Sequence, residues 1–391
     1  MSEHEQPDHV PASNLRPTGL ASDWASRADD SARAVTRSFG HRLLFLPGTH
    51  IGSVALPSNR LWGLVGPWHY WWQAHYVDCL VDAGRRELAT GVRFDGGSRP
   101  SAGSLASQLV GTIRMRNFFR FVNSYYDDMA WLALSALRLE ELARDAGKPG
   151  QKRYETVRRS LTPQLESAST DDLGGGTFWS TKRDFKNTPA TAPVALYFAR
   201  TAHRSRAQSL VDWLNANLLD PQLGLYQDGL HLKKGQTTLE DRIYTYNQGP
   251  VLGALLELGG EHNRHRARQL VEAVNRELTV PGTHVIRGEG SGDGGLFTGI
   301  LLRYLALAAR DERLGRATRS IARTLVHDTA EAFWDGRNDA ADRPQGHKHV
   351  PSLVFSPDPL RPAKQTYPDG VAVELSTQLQ AWMAFEAAAT L

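Results

Sequence analysis

Two neighbouring acids, Asp127 and Asp128, stand in the segment Asn123-Ser124-Tyr125-Tyr126-Asp127-Asp128-Met129-Ala130-Trp131. A pair of carboxylates framed by aromatic rings can cleave a glycosidic bond, one attacking or stabilising the sugar carbon while the other hands a proton to the leaving oxygen. Tyr125, Tyr126 and Trp131 offer flat faces to a sugar ring. The same dipeptide also serves as a helix cap and dipole partner, so the remaining motifs must decide between the two roles. Neighbours on a regular helix point about 100° apart. A shared substrate therefore requires the pair to sit at a helix mouth, where two adjacent anions oppose each other and one pKa rises. One ionised and one protonated carboxyl is the division of labour that glycoside cleavage needs.

Three further clusters have chemistry to offer. Gly174-Gly175-Gly176-Thr177-Phe178-Trp179 lets backbone approach a ligand closely, and the absence of a following Gly-Lys-Ser/Thr excludes a nucleotide phosphate loop. Tyr244-Thr245-Tyr246-Asn247-Gln248-Gly249 opens an apolar helix with phenols and amides, the groups that pair with sugar hydroxyls, although Asn247 could equally be a simple cap. Trp68-His69-Tyr70-Trp71-Trp72-Gln73-Ala74-His75-Tyr76-Val77-Asp78 is denser in aromatics than a core requires. Asp78 and Asp82 share a helix face there, either behind a binding site or in solvent.

Other chemistries fit less well. The single cysteine, Cys79, rules out an intrachain disulfide and Cys-rich zinc sites. His347 with His349, and His262 with His265, lack the helical spacing of a shared metal face, so no metal or other cofactor is expected. No Gly-x-Ser-x-Gly elbow occurs. Trp131 stands where an Asp-Asp-x-x-Asp magnesium motif would need its last acid. A net charge of only +3, without clustered Lys and Arg, argues against nucleic acid as a partner. No apolar run reaches the roughly 18 residues of a membrane span. The N-terminus lacks the basic and apolar regions of a secretory signal. A cytoplasmic location is expected for the chain as it stands, or secretion if a signal was removed or export is non-classical.

The elements that must position these residues are helical. Residues 1 to about 20 are polar and expected to be loosely packed or disordered, and 21–391 form one domain. Three- and four-residue apolar spacing with capping residues predicts helices near 22–39, 68–89, 105–121, 128–146, 151–166, 189–203, 205–219, 246–259, 263–279, 294–310, 312–333 and 370–390. Gly-rich loops fall at 171–179, 220–234, 281–293 and 338–368, and a short hairpin near Leu225–Gly229 is the main strand signal. About twelve helices make about six hairpins. These bury both partners of each hairpin by closing into a ring with loops around a cleft at one end, or by stacking as a solenoid.

In order along the chain, these segments resemble glycoside hydrolase family 76, the endo-α-1,6-mannanases. Tyr70-Trp71-Trp72-Gln73-Ala74-His75 is similar to the family's early aromatic helix, and Tyr125-Tyr126-Asp127-Asp128-Met129-Ala130-Trp131 to its catalytic segment. Gly174-Gly175-Gly176 with Trp179, followed by Lys186-Asn187, is similar to its Gly-rich loop. Tyr244–Gly249 and Phe297-Thr298-Gly299-Ile300 with Arg303-Tyr304 complete the series. The chain departs from the pattern after Asn187, where Thr188–Pro193 replaces a run with a second asparagine.

The resemblance implies an all-α, six-hairpin (α/α)6 toroid and retaining cleavage of α-1,6-mannosidic linkages by double displacement, with Asp127 as nucleophile and Asp128 as acid/base. It also implies an α-mannan or mannose oligosaccharide as partner. Trp72, Asp78, Tyr125, Tyr126, Gly175, Gly176, Trp179, Asn187, Tyr246, Asn247 and Gln248 are the expected substrate contacts. Transglycosylation by the same residues, a sugar epimerase and a non-catalytic glycan-binding toroid are the alternatives. Oligomeric state is not readable from the sequence.

Overall fold

The computed structural model describes residues 20–58, 66–148, 151–233, 235–339 and 351–391, without the side chains of 20–22 and 151–153. The N-terminal segment, the His347/His349 pair and part of the 338–368 loop therefore lie outside the described residues.

Among the described residues, twelve long helices follow one another: α1 (Leu20–Ser38), α2 (Tyr70–Thr90), α3 (Ala102–Arg116), α4 (Tyr126–Asp145), α5 (Gln151–Ala168), α6 (Thr188–Arg200), α7 (Arg204–Asn217), α8 (Thr245–Leu258), α9 (Gly260–Glu277), α10 (Phe297–Arg310), α11 (Arg316–Asp335) and α12 (Leu375–Ala389). The even-numbered helices touch in the cycle α2–α4–α6–α8–α10–α12–α2, and the odd-numbered ones pack outside them. The fold is a six-hairpin (α/α) toroid, not an open solenoid.

Residue pattern explains which helices go inside. α6 is buried from Thr188 through Ala199, and α12 from Leu375 through Ala388. A helix with no polar face has to be enclosed on all sides. Helix α9 buries only Asn263, Ala267, Leu270, Val271, Ala273 and Val274, a single stripe on an otherwise charged cylinder, and so lies on the outside. Small residues set the inner spacing. A Cβ at Gly249 or Gly253 of α8 would lie 2.8 or 2.7 Å from the Tyr304 ring of α10, so glycine lets these two helices meet.

The interior also holds an ion cluster. Asp78 and Asp82, one turn apart on α2, each pair with both Arg138 of α4 and Arg303 of α10, the Arg303 contacts being 2.7 and 2.8 Å. Burial alone would raise the Asp78 carboxyl, but the two guanidinium charges outweigh it and bring it to about 2. Asp78, expected as a substrate contact, is thus a strut joining three inner helices.

The expected hairpin near Leu225 forms slightly earlier in the chain, Leu225–Tyr226 pairing antiparallel with Leu219–Asp220, and there is a second, larger sheet that the sequence did not suggest. Phe185–Asn187 (β1), Gly229–Lys233 (β2) and Gln236–Glu240 (β3) form an antiparallel sheet in the order β1-β2-β3, with Asn187 opposite Gly229 and Gly229 opposite Glu240. Helix α3 stops at Arg116 rather than near Phe121, and α12 starts at Leu375 rather than 370. No helix of the described residues is long and apolar enough to cross a membrane.

Replacing one member of a buried ion cluster strands its partners' charge, at a cost of about 3–5 kcal/mol. Arg303→Met should therefore lower the thermal midpoint clearly in circular dichroism. Replacing all four members with uncharged residues should recover much of that loss.

Candidate active site

The six inner helices run the same way, and the first residues of five of them line one cleft of about 630 Å³. The lining includes His69 and Trp71 at the start of α2, Tyr125, Asp127 and Asp128 at α4, and Asn187 at α6. Tyr244 and Tyr246 come from α8, and Phe297 from α10. The sixth helix joins through Glu374, which accepts a 2.6 Å bond from the Gly292 N–H beside Asp293. A second cavity of about 660 Å³ lies between α2, α3 and α4. Its one carboxylate, Glu87, is occupied by the backbone N–H groups of Ala102 and Phe94, so it offers no free acid.

Asp127 and Asp128 occupy the first turn of α4, as the motif requires, and both are partly exposed to the cleft. One Asp127 oxygen accepts from the Trp179 indole at 3.0 Å. One Asp128 oxygen accepts from the Asn123 side-chain amide at 2.7 Å. Burial raises Asp127 to about 7, partly offset by the Trp179 bond. Burial and then the neighbouring Asp127 charge hold Asp128 well above the carboxylate range. The charge on one carboxyl disfavours a second beside it, so the pair releases its protons in two separate steps, with one group ionised and one protonated between them. Acid/base division needs that intermediate state.

Aromatic rings wall the cleft in two groups. Trp179 packs against Tyr125 (centroids 5.0 Å apart) and Phe185, while Tyr246 stacks on Phe297 at 3.9 Å beside Tyr244 and Trp71. Two more acids complete the lining. Asp293 accepts from the Trp71 and Trp72 indoles at 3.1 and 2.8 Å. Asp228 accepts from Asn247 at 3.1 Å, and its burial raises it to about 6 against that bond.

The expected substrate contacts therefore divide. Tyr125, Trp179, Asn187 and Tyr246 meet at the cleft. Trp72 lies behind it, its indole holding Asp293. Tyr126 is turned into the core. Asn247 is buried and reaches the cleft only through Asp228. Gln248 brackets the Tyr226 backbone, with its Oε1 accepting from the N–H and its Nε2 donating to the carbonyl, both at 2.9 Å. Gly175 and Gly176, at φ +133 and +76, press flat on Trp213, where a Cβ would come within 2.9 and 2.6 Å of the ring. Their role is to fold the loop against α7. Lys186 ties that loop down by donating to the carbonyls of Thr170, Asp172 and Gly175.

Sequence reasoning missed His69, Phe185, Asp228 and Asp293. His69 adopts φ 44 and stacks on Trp72 at 4.2 Å, a conformation with no composition signal. Asp228 stands alone in a loop and Asp293 in a single 3-10 turn, Gly292–Leu296, and only the neighbouring glycines, Gly229 for one and Gly292, Gly294 and Gly295 for the other, hinted at close packing. Among the described residues no group of three or more His, Cys, Asp or Glu is arranged to hold a metal.

Removing either hydrogen-bond donor should move its carboxyl further up. Trp179→Phe should raise the titration of the Asp127 carboxyl and Asn123→Ala that of Asp128, read from side-chain carboxyl resonances by NMR. Unchanged titrations would show that the indole and amide bonds do not set the pair.

The profile described as Glycosyl hydrolase family 76 matches residues 31–350. The GH76A α-1,6-mannanase from Salegentibacter sp. HEL1_6 is 28% identical with a TM-score of 0.77, the match covering 94% of this chain and 99% of that one. An inactive variant of that enzyme, with two adjacent aspartates changed to asparagine and α-1,6-mannotriose bound, matches at 27% identity and a TM-score of 0.76, over 94% of this chain and 99% of that one. The Lin0763 protein from Listeria innocua shares the fold at 22% identity and a TM-score of 0.73, over 94% of this chain and 97% of that one. No functionally curated sequence matches. With a profile covering most of its length and paired acids at the mouth of its helical ring, the chain belongs to glycosyl hydrolase family 76.

Proposed function

We propose that the protein hydrolyses α-1,6-linked mannose chains by double displacement with retention. The observation that carries this reading is the adjacent pair Asp127 and Asp128, with unequal hold on their protons, in a cleft walled by aromatic rings. The α-1,6-mannanase relative that is inactive when two adjacent aspartates become asparagines supports both the linkage and the pair.

In this scheme Asp127, as the ionised member of the pair, attacks the anomeric carbon, and its bond to that carbon forms as the bond to the leaving oxygen breaks. Asp128 gives its proton to that oxygen. Asp128, now anionic, takes a proton from water, whose oxygen then displaces Asp127 and regenerates both groups. The Trp179 indole keeps the Asp127 oxygens oriented, and Asn123 does the same for Asp128. Tyr125 with Trp179, and Tyr246 with Phe297, present ring faces on which sugars can stack. Asp228 and Asp293 supply acceptors for sugar hydroxyls. Transglycosylation differs only in the acceptor of the second step and is distinguished by product analysis.

Asp127→Asn and Asp128→Asn should each reduce release of mannose oligosaccharides from linear α-1,6-mannan by at least about a thousandfold, with the helical circular dichroism signal unchanged. Turnover like wild type in either variant ends the assignment. NMR of freshly released product should show the α-anomer.

The pH profile should be a bell. Its acid limb reports Asp127 and should lie near pH 7, because activity needs that group ionised. Its alkaline limb reports loss of the Asp128 proton. The same raised values affect stability. A carboxyl whose folded pKa exceeds its unfolded value stabilises the fold at low pH, and that contribution is lost as pH rises. The melting temperature of Asp127→Asn relative to wild type should therefore climb between about pH 4 and pH 7.

A further inference from the structure

Two loops beside the cleft display large apolar side chains to solvent. Leu44, Phe45 and Leu46 form one tip, and Phe118 and Phe119 the other. Phe45, Phe118 and Phe119 are 76%, 85% and 68% exposed. Gly48 of the first loop and Phe119 of the second line a common depression with Gly111, Met115 and Phe121, so the tips flank one surface. The Phe121 carbonyl accepts from the Tyr70 hydroxyl at 2.7 Å, and Asn123, two residues further on, holds Asp128. The surface thus adjoins the mouth of the ring.

Neither tip is a slack loop with greasy residues left over. Leu44, Phe45, Phe118 and Phe119 all hold left-handed backbone, at φ 52, 59, 54 and 59. That conformation is unfavourable for bulky residues, and strain of this kind persists where the surrounding structure imposes it. The Thr49 hydroxyl pins the first loop, accepting from the Leu43 N–H and donating to the Leu46 carbonyl at 2.6 Å. The Arg114 guanidinium pins the second by donating to the Phe119 carbonyl at 3.0 Å.

Charge identifies the partner. Residues 41–52 and 111–123 contain Arg42, Arg114, Arg116 and Arg120 and not one Asp or Glu. Among the described residues none of these four arginines pairs with a carboxylate. In a chain with a net charge of only +3, this is a local basic field around an apolar centre. Phenylalanine and leucine offer no group that hydrogen-bonds a sugar hydroxyl, unlike the tyrosines and tryptophans of the cleft. Inserted apolar tips ringed by arginine suit a bilayer with an anionic surface, where hydrocarbon takes the tips and headgroups take the guanidinium groups.

We infer that this surface docks the protein onto anionic lipid membranes, with Phe45, Phe118 and Phe119 entering the acyl boundary and Arg42, Arg114 and Arg120 meeting the headgroups, while Arg116 is held inward by the Gly66 carbonyl. Docked this way, the enzyme holds its cleft beside the bilayer, where a membrane-borne glycan would be presented to it.

Co-sedimentation with unilamellar vesicles tests the assignment. Wild-type protein should bind vesicles of phosphatidylcholine with about one-third phosphatidylglycerol at least roughly tenfold better than phosphatidylcholine alone, and added salt should weaken the binding. The triple variant Phe45→Ser, Phe118→Ser, Phe119→Ser, and separately Arg42→Gln with Arg120→Gln, should each lose roughly tenfold or more. Both should keep wild-type turnover of a soluble mannose oligosaccharide, so this result is separable from the identity of the reaction. If the triple variant does not fold, Phe45→Trp decides alone, because its emission should shift to the blue on the anionic vesicles. Equal binding to both lipids, unimpaired binding by the folded variants, or no spectral shift overturns the inference. So does a concentration-dependent dimer in light scattering that the serine variants abolish while vesicle binding is absent, since the surface would then join two copies of the chain.

Discussion

The shared direction of the six inner helices governs everything at the mouth. A closed ring of hairpins forces it, because each outer helix carries the chain back to the end where the previous inner helix began. Inner helices therefore all present free N–H groups and the positive ends of their dipoles to one opening, an environment that favours anions within the first turn. Asp127 and Asp128 lie in that turn of α4. Yet both have raised pKa values, so burial and mutual repulsion exceed what the helix terminus returns. The two effects together keep the pair from ionising fully, so that it carries one negative charge instead of two. A carboxylate in open solvent at a helix start would be a fixed anion and a poor proton donor.

The same geometry explains what was legible from sequence. Apolar spacing and caps located twelve helices close to their observed bounds, because an enclosed inner helix and a striped outer one leave different patterns. The Asp-Asp segment was legible because its neighbours Tyr125 and Trp131 are unusual company for a cap. Side-chain direction was not. At the start of α8, Tyr246 faces the cleft while Asn247 and Gln248 rotate away to hold Asp228 and the Tyr226 backbone. At the start of α2, Trp71 faces the cleft and Trp72 lies behind it. A step of about 100° per residue sorts such neighbours, and the phase of that rotation is fixed by packing that no single segment encodes. Asp228 and Asp293 were invisible for another reason. Each is a lone acid whose surroundings, Asn247 for one and two tryptophans for the other, come from elsewhere in the chain.

Polar groups read as ligand contacts often turn out to be supports one layer back. Asp78 is the clearest instance. It sits eight to nine residues inside α2, with Asp82 one turn further on, where no loop can bring a substrate, and its partners on α4 and α10 make it a fixed point of the ring. His75, one turn nearer the mouth, packs between Trp71 and Trp131, and burial, then the Arg303 charge, lowers it to about 3. The floor beneath the acid pair is thus a neutral ring resting on a compensated ion cluster, which leaves the proton balance of the mouth to the mouth itself.

The seam between α12 and α2 has its own consequence. Arg86 of α2 binds Glu386 of α12 across 300 residues of sequence, and Trp24 of α1 stacks on Phe385. A chain emerging from the ribosome can pair its early hairpins with one another as they appear, but the circle stays open until the last helix is delivered. Contacts of such sequence separation form late. Before that moment there is a crescent with a gap beside α2, and no enclosed trough in which a sugar could be shielded from water. Assembly of this enzyme should consequently be all-or-nothing in its output, with competence arriving in one step at the end of synthesis rather than accumulating hairpin by hairpin.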